Sequence, residues 1–410
     1  MRKHLSYAIL GLMVSARPAL SATLVVDSDG QATPASCNAA TATPYTTIQA
    51  AISAAAAGDT VVVCPGTGPY DEQPVVDKPL RISGRGDATV RPSPMLDNTT
   101  SLSTGNAIAA GILVTDTAGV VVESIAVDGT DNGATGCARN PVGIYFRNAS
   151  GTVENAAVRN MRLGAGLEGC QGGLGVFVQS GVEGTSVVLV QGTSVHGYQK
   201  NGITASGAGT TLTARRNRVT GLGPTPHIAQ NGIQVSFGAA GSIERNAVAN
   251  HVWTGCTPES CSFVSTNVLV FEAADGLVVR DNTLVHTQVG IYLSDTNGAV
   301  IQGNDVTQTS PFDGISVFGD SNLIVGNDVT HSEESGIFLD GNGNTARRNR
   351  INEAPIGIWS FSGLNTMPTT GLGRNTVFNV TFATQTGSGP LARGIRPVGS
   401  TRAAAASPSR

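Results

Sequence analysis

Little in this chain is aromatic or charged. Of its 410 residues 5% are aromatic and 13% are Asp, Glu, Lys or Arg, with a formal net charge of −4. That balance leaves no basic footprint for nucleic acid. Long apolar runs are missing too. The run Leu5–Val14 holds ten residues, about half of what a membrane-spanning helix needs. Cysteines number six, and their spacings match no zinc pattern. Glycine is abundant instead, at 52 residues, which marks a chain of turns rather than of long helices.

What is present is a repeat. "NTLVHTQVGIYL" starts at Asn282, "NDVTQTSPFDGISV" at Asn304, "NDVTHSEESGIFL" at Asn327 and "NRINEAPIGIW" at Asn349. The asparagines are 22, 23 and 22 residues apart. A fixed period of this length signals stacked structural units. The Gly-aliphatic pair of each unit also occurs upstream, at Gly143, Gly175, Gly202 and Gly232, with Asn267 in place of one glycine. The asparagine column is expected at Asn160, Asn217, Asn246, Asn282, Asn304, Asn327, Asn349 and Asn375.

Side chains alternate along a strand, so the residues one and three after each glycine share a face. They are aliphatic in almost every unit (Val176/Val178, Ile203/Ala205, Ile291/Leu293, Ile337/Leu339). A unit of about 22 residues cannot bury such a face alone, whereas stacked units do. The architecture implied is all-β: a parallel β-helix of about ten or more coils. Asparagines repeated at one corner can satisfy one another's buried amides.

The ends differ. Residues 1–22 read as a secretory signal, with Arg2 and Lys3 before the apolar run and small residues at 19–22. The β-helix domain is placed at 23–383, and a disordered Gly/Ser/Ala/Pro/Arg tail at 384–410. "YTTIQAAISAAAAGD" predicts one helix, over 46–57, that caps the open end of the first coil. In an exported chain the cysteines are expected to pair by proximity: Cys37–Cys64, Cys137–Cys170 and Cys256–Cys261.

The stretch "TTIQAAISAAAAGDTVVVCPGTGPYDEQPVVDKPLRISG" and the Asn-x-Val…Gly-Ile units resemble the secreted right-handed parallel β-helix repeat proteins of the pectate-lyase-like superfamily. The repeats are similar to those of periplasmic accessory β-helix proteins of the nitrous-oxide-reductase system. The resemblance covers about residues 45–380 and implies a right-handed coil and a secreted or periplasmic location. It implies no single activity, because the matching words are scaffold. The Asp-Pro-His-Asp of uronate epimerases and the Gly-His-Gly and Arg-x-Lys of polygalacturonases are absent, and "TPHI" (225–228) lacks flanking acids.

Function must then be read from what faces outward. The residue two after each glycine holds Tyr145, Phe177, Thr204, Gln234, Leu269, Tyr292, Ser316, Phe338 and Trp359. In an aromatic-poor chain this column suggests a ledge on which sugar rings stack. The longest insertions, 220–230 and 251–266, lie next to it and bring Lys200, His227, Gln230 and Trp253 towards one region. The expected substrate-binding set is therefore Tyr145, Phe177, Gln234, Tyr292, Phe338, Trp359, Gln230 and Trp253. Asp313 precedes a glycine on a rung next to Glu333 and Glu334, the spacing of a carboxyl pair. Asp295, Asp320 and Asp340 recur on successive rungs, either as turn residues or as an oxygen site for Ca²⁺. No other cofactor is called for. The resulting expectation is a monomeric secreted protein that binds a polysaccharide. If it is catalytic, the expected reaction is β-elimination of a uronate polymer, with Lys200 or His227 as base and Asp313 as a further candidate. The rival expectation is a non-catalytic surface or accessory protein whose rod is its function.

Overall fold

A computed structural model describes residues 21–30, 37, 44–255, 261 and 263–387. The chain forms a right-handed parallel β-helix with three faces. In one coil Val289–Ser294 lies on the first face, Val300–Gln302 on the second and Asp305–Thr309 on the third. The next coil places Ile315–Phe318, Leu323–Val325 and Asp328–Ser332 in parallel register on these three. The second face is one sheet of 12 parallel strands, from Thr23–Val26 to Thr345–Arg347. One antiparallel pair, Thr99–Thr100 against Ala107–Ile108, forms a hairpin on the outside of the first face.

The Gly-aliphatic words are first-face strands. Val176, Ile203, Ile233, Val268, Ile291, Ile315, Ile337 and Ile358 stack in register, all fully buried. Gly202 shows why glycine precedes them. A Cβ there would stand 2.5 Å from Val219 Cγ1 and 2.6 Å from Gly232 O, where the third and first faces meet. No side chain fits that corner.

The asparagine column is a continuous amide ladder. From Asn217 through Asn246, Asn282, Asn304, Asn327 and Asn349, each Nδ2 donates to Oδ1 of the next, ending on Asn375, at 2.9–3.0 Å. Each Nδ2 also donates to a backbone carbonyl, so these buried amides are satisfied. Asn160, expected in this column, is not part of it. It follows strand Ala157–Arg159 and donates to Asp128 and Thr130, while the ladder position of the earlier coils holds Ala156 and Thr193. A second column, Asn322–Asn344–Asn365, accepts backbone N–H groups at the turn between the first and second faces.

The helix is shorter than expected, Ile48–Ala54, with Thr47 as its N-cap. Its orphan amides are covered by Glu72, whose carboxylate accepts from Ile48 N and Gln49 N at 2.7 and 2.9 Å. Ile48, Ala51 and Ile52 close the core of the first coil. Disulfides join Cys37–Cys64 and Cys137–Cys170. Cys261 is disulfide-bonded as well, and Cys256 lies outside the described residues. So do residues 1–20 of the expected signal and the tail from 388 onward; the last strand, Thr376–Thr386, reaches three residues past the expected tail boundary.

Candidate functional site

The outer column of the first face is in the predicted register, Tyr145 to Phe177 to Thr204 to Gln234 to Leu269 to Tyr292 to Ser316 to Phe338 to Trp359. It is not the exposed ledge expected from the sequence. Every member is buried, none more than 6% exposed. Large rings on an outward face are costly to leave in water, and the chain covers them with its own loops. The 99–106 hairpin covers Tyr145, which stacks on Phe177 with ring centres 4.9 Å apart. Val264, Cys261 and Phe312 cover Leu269 and Tyr292. Phe361 and Ile356 cover Phe338 and Trp359, and Trp359 Nε1 donates to Gly387 O.

Between these apolar patches the column turns polar, and there the cover leaves a cavity of about 380 Å³. Its floor is Asn201, Thr204, Ser206 and Gln234; its walls include Asn140, Ser103, Gln179, Phe177, Phe237 and the disulfide-tied segment 169–172. Most of these groups are pre-set by one another. Asn201 Nδ2 donates to Gln234 Oε1 (2.8 Å), Gln234 Nε2 to Ser236 Oγ (3.0 Å) and Asn231 Nδ2 to Asn201 Oδ1 (3.1 Å). Gln179 Oε1 accepts from Tyr145 Oη and Leu102 N, and its Nε2 donates to Ser103 Oγ. Thr204 Oγ1 is the exception: it is buried, with no partner among the described residues.

Lys200 lines this cavity and is its one ionisable residue among the described residues. It is 3% exposed, and among the described residues its Nζ has a single partner, the Ala229 carbonyl at 2.9 Å. Burial without a facing carboxylate pushes its amine down to about 7.

The other expected site residues lie elsewhere. His227 is exposed in a second cavity of about 730 Å³, with Asp131, Arg162, Gln199 and Glu168, on the other side of the 164–172 loop. Lys200 and His227 therefore do not share a site. Gln230 is fully buried and spends its amide on backbone: Nε2 donates to Tyr198 O and Gln199 O, and Oε1 accepts from Leu222 N. Trp253 donates to Pro226 O, bridging the two insertions. Asp313 ties two coils, accepting from Ser316 Oγ, Ser335 Oγ and Ser335 N at 2.6–3.1 Å, and burial raises its carboxyl to about 6. It faces neither cavity. Asp320 Oδ1 accepts from Asn342 N in its turn, and Asp295 Oδ2 accepts from Ser294 Oγ. Among the described residues no three His, Cys, Asp or Glu side chains gather as metal ligands, so Asp295, Asp320 and Asp340 do not form a cation cluster.

The sequence reading passed over Thr204, Asn140, Ser103 and Gln179 as site residues. Thr204 stood in the outer column, but its value depends on what its neighbours cover. Ser103 comes from a hairpin with no repeat signal.

Residues 191–386, just under half of the chain, match the family model described as "Periplasmic copper-binding protein (NosD)". Among curated proteins no significant match was found. Solved structures share the fold. The A-module of mannuronan C-5 epimerase from Azotobacter vinelandii aligns over 83% of this chain and 95% of its own, with TM-score 0.55 and 14% identity. The lacto-N-biosidase of Eubacterium ramulus aligns over 88% and 67%, with TM-score 0.55 and 11% identity. The Dettilon tailspike protein aligns over 88% and 68%, with TM-score 0.57 and 15% identity. At these identities the likeness is one of fold.

The family description names copper, and the donor set of the described residues does not fit a copper centre. Copper is held by clustered imidazole, thiolate or thioether ligands, and no group of three His, Cys, Asp or Glu is present among the described residues. The described cysteines are in disulfides. Buried His251 has both ring nitrogens engaged, by Tyr198 Oη and Asn267 Oδ1. No helix among the described residues is long and apolar enough to cross a membrane.

Proposed function

We propose that this is a secreted or periplasmic β-helix protein that binds a polysaccharide in the cavity over Thr204 and Gln234, with a carboxylated sugar seated at Lys200. The observation that carries the reading is the pairing of Lys200 with no facing carboxylate and Thr204 Oγ1 with no partner, in a cavity otherwise lined by amides and hydroxyls. A polyol satisfies such donors and acceptors, and an anion restores the charge of a buried amine. The fold neighbours support the class: an epimerase of mannuronan and a lacto-N-biosidase are named for saccharide substrates.

Cleavage by β-elimination is the finer form of this proposal. It needs a base to remove the proton beside the carboxylate and a positive group to neutralise that carboxylate. Lys200 can serve in one of these roles, and among the described residues the cavity lining holds no second cation. Binding is therefore the main expectation, and an accessory, non-catalytic role agrees with it.

Calorimetry with uronate and neutral oligosaccharides tests the proposal. Uronate oligomers should bind, and Lys200→Met should weaken them by about tenfold or more, with Thr204→Val giving a smaller loss. Failure to bind any uronate, or equal binding by Lys200→Met, would overturn it. Ultraviolet absorbance of unsaturated product, with and without Ca²⁺, decides between binding and elimination.

A further inference from the structure

The strands whose outer side floors the cavity carry an unusual inner side. In the later coils the column that holds His251 continues as small Thr287, Thr309 and Ser332. Beneath Asn201–Ser206 and Asn231–Ser236 run Tyr198, His251 and Asn267, all with no exposed surface. Tyr198 Oη bonds His251 Nε2, and His251 Nδ1 bonds Asn267 Oδ1 at 2.7 Å. Asn267 Oδ1 only accepts, so Nδ1 carries the proton and Nε2 accepts from the tyrosine. This neutral imidazole agrees with its burial, which lowers His251 to about 4. Asn267 stands where other coils have glycine, and Gly202 and Gly232 leave the room that the two rings fill.

We propose that the Tyr198–His251–Asn267 chain is a positioning device for Lys200, holding the corner at which Lys200 lines the cavity. Tyr198 lies two residues before Lys200. Gln230 clamps the carbonyls of Tyr198 and Gln199, and its neighbour Ala229 supplies the amine's one partner. Loss of the tyrosine hydroxyl leaves a buried imidazole nitrogen unpaired, and the corner must shift or admit water to satisfy it. Either change hydrates Lys200. Among the described residues no other charged side chain of the cavity lining offsets such a change.

The inference rests on the proposed role of Lys200, but its test does not need a ligand. Lysine-labelled protein is titrated by NMR and the Lys200 midpoint read directly. Tyr198→Phe, and His251→Leu as a second variant, should move that midpoint upward by roughly one pH unit or more. Asn304→Ala, in the regular coils, controls for general loss of stability and should leave it in place. An unchanged midpoint in a folded Tyr198→Phe protein overturns the inference, as does an equal shift in Asn304→Ala. A shift seen in a protein that binds no uronate upholds the positioning role and sinks the saccharide reading instead.

Discussion

The same outward position of the first face has two fates. At Tyr145, Leu269, Tyr292, Phe338 and Trp359 it is apolar and sealed under the chain's own loops; at Thr204 and Gln234 it is polar and opens into a cavity. Both belong to one sheet, with one register and one inner aliphatic column. In this solenoid the aromatic outer positions extend the core, and the cavity opens where two successive outer positions, Thr204 and Gln234, are polar. This reverses the natural sequence reading, in which aromatics mark the binding surface.

Four substitutions probe the contrast in falling order of effect on stability or binding. Phe338→Ala removes a ring packed between Phe318 and Trp359 (centres 5.3 and 4.9 Å away). It should cost about 3–5 kcal/mol in denaturant unfolding and leave uronate affinity unchanged. Loss of affinity in a folded variant would restore the ledge as a binding surface. Asn304→Ala cuts the amide ladder, leaving the Asn282 amide and the Val279 carbonyl each short of a partner. A loss of about 1–3 kcal/mol for each unsatisfied group is expected, again without a change in binding.

Lys200→Met acts on the other side of the contrast, and its signature is pH dependence. The amine lies at about 7 in the folded chain against an ordinary 10.5. The unfolded chain binds more protons between those values, so wild-type stability should rise with pH across that window. Below about pH 7 the buried charge is a penalty, and there Lys200→Met should be the more stable protein. Affinity for a carboxylated sugar runs the opposite way: strongest below 7, falling as the amine loses its proton. A wild-type affinity flat from pH 6 to 8 would mean that Lys200 does not meet the anion.

Much of the scaffold was legible because it is periodic. The Gly-Ile words, the inner aliphatic column and the ladder from Asn217 to Asn375 each repeat with a fixed structural reason. Asn160 was misplaced where the period lengthens, since spacing alone cannot tell a turn residue of one corner from that of the next. The site was legible in part. Lys200, Phe177 and Gln234 line the cavity, but burial separates Gln230, Asp313 and Phe338 from it. What decided their roles was which loop covers which rung. The 99–106 hairpin and the 164–172 loop carry no repeat signal, and their docking depends on contacts such as Leu102 N to Gln179 Oε1 and Gln199 Nε2 to Leu167 O.

Asp313 gives the finest test of the division between scaffold and site, because it has the chemistry of a catalytic acid and the setting of a tie. Its carboxyl is buried and raised to about 6 from 3.8, against the pull of three donors from Ser316 and Ser335. A carboxyl raised on folding contributes stability that is complete below its unfolded value and is lost as pH rises through its folded value. Wild-type stability should therefore decline from about pH 4 to 6 relative to Asp313→Asn, measured as the difference between their denaturant midpoints. Asn keeps an acceptor for Ser335 N, and the serine hydroxyls can turn to accept from its amide, so the change at pH 7 should be below about 1 kcal/mol. Uronate binding and any eliminase activity should be untouched. A variant that folds normally but loses either one would place Asp313 in the working site and move the boundary between the two regions by three coils.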